Sequence, residues 1–254
     1  MRVVQKSVLC AGGTGAARYC RKYLQEWGAN LTDHPNPSVG AVLLDVPSFA
    51  PDGNLRMGGS VESLLAQLPP DVVIFGGNLD HPALSGYRCV DFLQDADYLA
   101  ENAYITAECA VEIAMSYLSV TLRGCPVLIV GWGRIGKCLV QILRALGADV
   151  TVAARKETDR AICRGLGCKA VDTARMADNF GRYRLILNTV PELLLPQAQL
   201  AECHPDCVKI DLASKTGMTG DSVISARGLP GIHMPESAGR LMAERFLNLS
   251  GEGL

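Results

Sequence analysis

The sequence predicts an α/β protein of two doubly wound, Rossmann-like domains, the second of which carries a complete GxGxxG dinucleotide-binding motif. That motif joins a short apolar strand to an amphipathic helix near the middle of the chain. A degenerate copy of the same unit lies near the N-terminus, and further apolar strands follow both copies. Strands that alternate with helices are typical of parallel sheets covered on both faces. With 254 residues, 48% of them hydrophobic, the chain is long enough for two such domains.

Composition argues against several classes of protein. A net charge of −2 and the lack of a basic aromatic patch argue against nucleic-acid binding. No apolar run approaches membrane-spanning length, and residues 1–6 run straight into a strand, so we predict neither a membrane span nor a signal peptide. Ten cysteines without a CxxC pair indicate reduced thiols in a cytoplasmic protein. Cys203, His204 and Cys207 lack a fourth ligand, so we expect a surface loop there and no metal.

The first strand–helix–strand unit is a degenerate copy of the second. At an offset of 119 residues (127 minus 8), Val8-Leu9 matches Val127-Leu128, Gly12 matches Gly131, and Gly28 matches Gly147. Thr14 and Ala17 occupy the places of Gly133 and Gly136, so the copy keeps the architecture without the glycines that approach a phosphate. Residues 12–15 either bind an anion at a helix N-terminus or form a plain tight turn.

The first half continues with buried strands and ends in a long connecting helix. The predicted elements are strands over 39–44, 72–75 and 89–92, a helix over 61–68, and a long helix over 106–120. The first two strands are continuous apolar runs, as in sheets buried on both faces, and the third is predicted at the sheet edge. Pro69-Pro70 ends the shorter helix, because proline cannot continue it.

Residues 127–156 form the nucleotide-binding unit. The apolar strand 127–130 leads into Gly131-Trp132-Gly133-Arg134-Ile135-Gly136, a helix with one apolar face follows, and a second strand begins at Val150. The first glycine permits the tight turn, the second lets backbone approach the pyrophosphate, and the third lets helix pack on strand. The phosphates are expected at the positive end of the helix.

The end of the second strand selects the cofactor. NAD sites usually place Asp or Glu there to hold the ribose hydroxyls, whereas this chain has Ala153-Ala154-Arg155-Lys156. A guanidinium can bind a 2′-phosphate bidentately, and a carboxylate would repel it. We therefore predict NADP(H) as the cofactor and Arg155 as the 2′-phosphate ligand, with Lys156 and Thr158 as helpers. The alternative for this segment is a solvated basic turn.

Two later strands, 185–191 and 208–213, end in small or polar residues. Ligands of open α/β sheets bind at the carboxyl ends of strands, which places these ends beside the cofactor. The predicted cofactor-binding residues are Gly131, Gly133, Arg134, Ile135, Gly136, Arg155, Lys156, Asn188, Thr189, Val190, Pro191, Asp211, Leu212 and Ala213. A final helix over 237–249 is expected to pack on the first half. We assign residues 1–103, joined by 237–254, to a flavodoxin- or Rossmann-like substrate domain, and residues 104–236 to the NADP-binding domain.

Several motifs after Asn102 fit one family pattern. They are residues 102–108, 131–136, Ala154-Arg155, 187–191, 211–214, 228–231, Pro235 and Ala238-Gly239. In these motifs the chain resembles the A-subunit family of dipicolinate synthase, which makes the spore-core dicarboxylate of endospore-forming, sporulating bacteria. The residues before Asn102 match only in the order of their elements, and the chain is shorter there than family members usually are.

The resemblance implies NADP-linked oxidation of dihydrodipicolinate, or a tetrahydro precursor, to pyridine-2,6-dicarboxylate. Such a site must hold two carboxylates and accept a proton. Glu108 is the candidate base or orienting carboxylate, with a first-turn partner of the helix dipole as the alternative. Thr106 is a substrate-binding candidate or the N-cap of the same helix. Ser214 and Lys215 are candidates for binding a substrate carboxylate, and His233, near a predicted strand end, is a candidate for proton transfer.

Alternatives of other classes remain open. The family works beside a second, flavoprotein-like subunit, so this chain could be a non-catalytic NADP(H)-sensing or partner-binding subunit. D-2-hydroxyacid dehydrogenases share the two-domain plan but need an Arg and a His. Ser214 and Glu236 stand at those positions here, which disfavours that chemistry. The expected partners are therefore a small dicarboxylate substrate and the second subunit, and the family analogy also makes a homodimer plausible.

Overall fold

The structure, a computed structural model, describes residues 6–251. The segment Met1–Gln5, where no signal peptide is predicted, and residues 252–254 lie outside the described residues. The chain divides into two compact units, Met1–Asn102 with Pro230–Leu254, and Ala103–Leu229. The predicted domain boundary after residue 236 differs from this division, since it would cut the final helix, which begins at Pro235.

The elements follow one another in a regular alternation of strands and helices. In chain order they are β1 (Ser7–Cys10), α1 (Gly15–Glu26), β2 (Leu31–Thr32), β3 (Val39–Leu43), α2 (Val61–Leu65), β4 (Val73–Gly76), β5 (Arg88–Asp91), α3 (Ala96–Tyr117), β6 (Pro126–Val130), α4 (Arg134–Ala145), β7 (Asp149–Ala153), α5 (Glu157–Gly165), β8 (Lys169–Val171), β9 (Leu185–Asn188), α6 (Gln197–Leu200), β10 (Val208–Asp211), β11 (Val223–Ser225), α7 (Leu229–His233) and α8 (Pro235–Ser250). Short 3₁₀ segments cover Pro82–Leu84, Phe92–Gln94 and Thr173–Arg182.

Each unit contains one parallel sheet, which confirms the predicted α/β class. The first unit has strand order β2-β1-β3-β4-β5, and the second has β11-β10-β9-β6-β7-β8. β3 and β9 are buried along their whole length, as expected for strands covered on both faces. The order in the second sheet reverses between β6 and β9, and ligands of such sheets bind at this switch point.

The internal repeat is confirmed at the level of whole elements. α1 and α4 begin at Gly15 and Arg134 and end at Glu26 and Ala145, so both ends keep the offset found in the sequence. Gly28 and Gly147, which follow the two helices, adopt positive φ angles of 84° and 80°. This left-handed conformation ends a helix and favours glycine.

Two helices depart from their predicted bounds by three residues or more. α3 begins at Ala96, ten residues before the predicted start at residue 106, and ends at Tyr117 rather than residue 120. Residues 96–105 contain neither glycine nor proline, and half of them are Ala, Leu or Glu, which are good helix formers. Thr106 is therefore not an N-cap, and Glu108 is not in a first turn. α2 ends at Leu65 rather than residue 68, since Pro69 disfavours helical backbone in the residue before it.

The C-terminal helix α8 is part of the core of the first unit. A Cβ at Gly239 would lie 2.6 Å from the Tyr19 Cβ and 2.7 Å from the Cys20 nitrogen, so this glycine lets α8 approach the backbone of α1. Phe246 packs edge-on against Phe75 of β4 with ring centroids 4.8 Å apart. Arg245 pairs with Asp95 at 2.6 Å, and both side chains are largely buried. None of the helices in residues 6–251 has the length and hydropathy needed to cross a membrane.

A buried carboxylate closes the turn between β1 and α1. Asp45, which follows β3 and is 1% exposed, accepts hydrogen bonds from the Gly13 nitrogen at 2.9 Å, the Thr14 nitrogen at 3.1 Å and the Thr14 hydroxyl at 2.5 Å. The Thr14 hydroxyl also caps α1 by accepting from the Ala17 nitrogen at 3.2 Å. The carboxylate of Asp45 already occupies the donors of Gly13 and Thr14, which favours the plain tight turn over an anion site at residues 12–15.

We expect Asp45→Ala to lower the free energy of unfolding by about 2–4 kcal/mol, because it leaves three donors near Asp45 without their charged acceptor. Urea denaturation followed by circular dichroism measures the change. Asp52→Ala is the control, since Asp52 is exposed and bonds only its neighbour Asn54 among the described residues. A similar small effect of both substitutions would contradict the role given to Asp45.

Candidate nucleotide-binding site

The three glycines of the motif are required for three different physical reasons. Gly131 has a φ of +106°, and a Cβ there would collide with the Thr189 hydroxyl. A Cβ on Gly136 would collide with the carbonyl oxygen of Gly131, so this glycine lets α4 pack on the turn. A Cβ on Gly133 would meet no atom within 4 Å. The space in front of Gly133 is thus open to a ligand, as the motif requires.

The N-terminus of α4 is suited to bind an anion. Its N-cap is Gly133, which has no side chain, and among the described residues no side chain caps the helix and its first turn contains no acidic residue. Arg134 and Ile135 form the first turn, whose backbone N–H groups have no acceptor within the helix. These donors and the helix dipole favour a negatively charged group.

A cavity of about 220 Å³ adjoins this turn at the carboxyl end of β7. Its lining residues are Gly131, Trp132, Ala153, Ala154, Arg155, Lys156, Asp159, Thr173, Val190, Glu192 and Leu194. Among the predicted cofactor residues, the structure thus brings Gly131, Arg155, Lys156 and Val190 together. Thr158, predicted as a helper, is exposed and does not line the cavity.

Several lining residues could not be predicted from the motif. Asp159 lies on α5 beyond the strand end, and Thr173 begins the 3₁₀ segment after β8. Glu192 and Leu194 follow β9, five and seven residues beyond Leu187, its last apolar residue. All four residues follow the carboxyl end of a strand. Many other residues do so as well, so this feature of the sequence does not single them out.

Arg160, which the sequence reasoning missed, fixes the loop that carries Arg155. Its guanidinium donates to the backbone oxygens of Ala154 at 2.7 Å and Arg155 at 2.8 Å and pairs with Asp172 at 2.5 Å. The side chain is 14% exposed. Asp172 in turn accepts a hydrogen bond from the Ala174 nitrogen at 2.9 Å. Arg160 therefore holds two edges of the cavity, the loop after β7 and the loop after β8.

Two of the predicted cofactor residues instead form a buried network beneath the site. The Asn188 amide donates to Asp211 at 2.8 Å and to the Val190 oxygen at 3.0 Å, and Asn188 and Asp211 are 0% and 2% exposed. Asp211 also accepts from the Gly217 nitrogen at 2.9 Å. The pair thus shapes the loops after β9 and β10. Leu212 and Ala213 are buried as well, while Thr189 and Pro191 lie nearer the surface, with Thr189 bonded to the Val130 oxygen at 2.9 Å.

The candidate substrate and catalytic residues lie on both units. Thr106 is buried in the middle of α3, and Glu108 is exposed on the same helix. Ser214 and Lys215 are exposed on the loop after β10. His233 is exposed at the end of α7 in the first unit, so its predicted position near a strand end is wrong.

A further cation, which the sequence analysis missed, lies near the loop after β10. Arg227 donates to the Ala213 oxygen at 3.1 Å and to the Thr216 hydroxyl at 2.9 Å. Arg227 follows the carboxyl end of β11, which is the kind of position at which ligand-binding residues are expected. Within residues 6–251 the structure shows no group of His, Cys, Asp or Glu side chains able to hold a metal ion.

Comparisons with known proteins agree with this geometry. Residues 95–210 match the family model of the D-isomer specific 2-hydroxyacid dehydrogenase NAD binding domain. The A subunit of dipicolinate synthase of Bacillus subtilis (strain 168) is 28% identical over 242 residues, which cover 88% of this chain and 82% of that protein. The crystal structure of the dipicolinate synthase A subunit from Bacillus halodurans superimposes with a TM-score of 0.86 at 23% identity and covers 98% of both chains. The crystal structure of its Bacillus subtilis counterpart gives 0.81 at 23% identity over 99% of this chain and 97% of that one.

These findings confirm the predicted resemblance to the A subunit of dipicolinate synthase and its relation in plan to the 2-hydroxyacid dehydrogenases. The alignment covers 88% of this chain and so extends the similarity into the first half, beyond the motifs after Asn102 that the prediction used. The structural likeness shows the fold, and the family model supports a nicotinamide dinucleotide as cofactor and an oxidoreductase domain.

Two glycine substitutions separate binding from folding. We expect Gly133→Ala to raise the dissociation constant for NADPH about tenfold or more, about 1.4 kcal/mol, because the new methyl group projects into the open space. Its stability should fall by less than about 1 kcal/mol. Gly131→Ala should instead lower the free energy of unfolding by about 2–4 kcal/mol, since it combines a positive φ with a collision. Fluorescence titration measures the dissociation constant for NADPH, and urea denaturation measures the free energy of unfolding. Unchanged NADPH binding by Gly133→Ala would argue against this site.

Proposed function

We propose that the chain is an NADP-dependent oxidoreductase that resembles the A subunit of dipicolinate synthase and oxidises dihydrodipicolinate, or a tetrahydro precursor, to dipicolinate. The observation that carries the proposal is the pair of cations, Arg155 and Lys156, at the rim of a cavity beside an uncapped helix N-terminus. Similarity to a protein named for dipicolinate synthase supports the choice of substrate.

The charges around the cavity support a phosphorylated ribose. Ala153 and Ala154 are buried at the strand end, where an NAD site would carry its carboxylate. Arg155 and Lys156 follow them and are exposed, so their charged groups can reach a ligand in the cavity. Asp159 and Glu192 also line the cavity. Carboxylates bind sugar hydroxyls and repel a phosphate, so the proposal assigns the 2′-phosphate to Arg155 and Lys156 and the sugar hydroxyls to Asp159 and Glu192.

The residues present fit a nicotinamide dinucleotide, because the space before Gly133 is open and the first turn of α4 offers unpaired donors. When bound, such a cofactor accepts a hydride. The chain itself must bind the two substrate carboxylates, and we assign this role to Lys215 and Ser214. Thr106, the third candidate for substrate binding, lies two residues before Glu108 on α3. Glu108 and His233 are the candidate proton acceptors. Aromatisation of the ring supplies the driving force for the reaction.

The proposal also includes a partner subunit, a cellular compartment and an oligomeric state. The relative's name describes one subunit of an enzyme and so indicates a second, and we propose that this chain likewise acts beside a flavoprotein-like partner. All ten cysteines are free thiols, in line with the reducing conditions of the cytoplasm, where we place the protein. A homodimer is proposed on the family analogy alone.

We expect Arg155→Ala to weaken NADPH binding by about 1.5–3 kcal/mol, the range of a charge-assisted hydrogen bond, and to leave NADH binding nearly unchanged. Calorimetric titration of both nucleotides measures the difference. Arg175→Ala is a matched control, because Arg175 is an exposed cation of the same unit that does not line the cavity. An equal loss for both nucleotides would remove Arg155 from the proposed role.

A second test addresses the substrate. The full chain is titrated with NADPH and NADH by fluorescence, with and without dipicolinate. We expect tighter binding of NADPH than of NADH, and a shift in NADPH affinity when dipicolinate is present. Binding of NADPH that is indifferent to dipicolinate would point instead to a sensor or to another substrate. Binding of neither nucleotide would overturn the proposal.

A further inference from the structure

Two cysteines lie next to each other in the turn between α6 and β10. The turn is fixed by backbone hydrogen bonds from Cys203 to the Leu200 oxygen at 3.2 Å and from Cys207 to the His204 oxygen at 2.9 Å. Both side chains pack in the same apolar cluster of the second unit, where the two thiols interact with each other, and the Cys207 thiol also donates to the Val208 oxygen at 3.7 Å. Cys207 is buried in the core of the second unit, whereas Cys203 packs on that core and stays partly exposed. The more accessible thiol therefore has a second thiol directly behind it.

A buried cation lies beside this pair. Lys209 is only 6% exposed, and its ammonium donates to the Cys207 backbone oxygen at 3.0 Å and to the Ser222 hydroxyl at 3.5 Å. Among the described residues its hydrogen-bond partners are the Cys207 oxygen and the Ser222 hydroxyl, and neither is a carboxylate. Buried charges in proteins are normally paired, because an isolated charge is costly to remove from water. A thiolate in the turn would provide the missing negative charge.

Accessibility and charge assign the thiolate to Cys203, since Cys203 is partly exposed and Cys207 is buried. The interaction with Cys207 and the nearby Lys209 ammonium lower the pKa of Cys203, although its partial burial opposes them. The same interaction, together with burial, raises the pKa of Cys207. Burial raises the pKa of Cys10 to about 11 and that of Cys163 to about 11. Reactive cysteines occupy partly exposed, electropositive surroundings of the kind found at Cys203.

We propose that Cys203 and Cys207 form a redox-active dithiol that reacts with hydroperoxides. The Cys203 thiolate attacks the peroxide, the O–O bond breaks, and sulfenic acid forms at Cys203, while the departing hydroxide or alkoxide takes a proton from solvent and leaves as water or an alcohol. The Cys207 thiol then displaces hydroxide from that sulfur, and its proton leaves with the hydroxide as water. The product is a Cys203–Cys207 disulfide, so the dithiol loses two electrons and the peroxide gains them. A cellular dithiol such as a reduced thioredoxin-type protein would reverse the step.

The first experiment measures thiol reactivity in the unmodified full chain. Iodoacetamide is applied briefly at neutral pH, and labelled peptides are quantified by mass spectrometry. We expect Cys203 to react at least about tenfold faster than Cys89, which is more exposed but whose pKa burial and Asp91 raise. Lys209→Met, which keeps the apolar stem and removes the charge, should slow Cys203 and leave Cys89 unchanged. A Cys203 no faster than Cys89 in the unmodified chain would overturn the proposal.

The second experiment tests the disulfide. One equivalent of hydrogen peroxide should lower the mass of the unmodified chain by about 2 Da, the loss of two hydrogens, and the new bond should map to Cys203 and Cys207. In Cys207→Ser, dimedone should trap sulfenic acid at Cys203, and in Cys203→Ser, Cys207 should stay reduced. A disulfide between other cysteines, or oxidation of Cys203 to sulfinic acid in the unmodified chain without a disulfide, would contradict the resolving role of Cys207.

Discussion

This structure depends on one constraint: each βα turn leaves backbone N–H groups unpaired at the start of its helix, and these donors need acceptors. The chain contains that turn twice, in equivalent positions of its two sheets, and satisfies it in opposite ways. In the first unit, Asp45 accepts from the Gly13 and Thr14 nitrogens, and the Thr14 hydroxyl accepts from the Ala17 nitrogen. In the second unit, Gly133 caps α4 without a side chain, and the donors stay available to a ligand. The repeat thus separates into a closed turn that stabilises its unit and an open turn that can bind a nucleotide.

The open turn is useful only because buried polar groups fix its surroundings. Asn188 and Asp211 hold the loops after β9 and β10, and Arg160 holds the loops after β7 and β8. Loss of any of these side chains would displace the residues on the loops that it holds, even if the side chain itself touches no ligand. A buried Asn–Asp pair that is fully bonded also specifies one arrangement of its loops, since any alternative would leave charged or amide groups unsatisfied.

Local patterns in the sequence predict the strands, most helices, the repeat and the glycine turn, because each depends on neighbouring residues. The start of α3 was missed although Asp95, whose side chain accepts from the Asp97 nitrogen at 3.0 Å, is a residue type that caps helices. Asp45, Arg160 and Arg227 were missed for a different reason. Their partners lie up to 32 residues away along the chain, as for Asp45 and Gly13, and only the folded sheet brings them together.

The charges at the cavity also show that the residue at the end of β7 is not enough to predict the cofactor, because other charged residues line the same cavity. An NAD site places its carboxylate on the strand end, where this chain has small buried residues, yet Asp159 contributes a carboxylate from one turn into α5. Arg155 and Lys156 line the cavity together with Asp159 and Glu192, so the cavity presents both signs of charge. The proposed 2′-phosphate would use the two cations, and the sugar hydroxyls would use the carboxylates. The proposal of a phosphorylated cofactor therefore depends on the exposed residues after the strand end and not on the strand end itself.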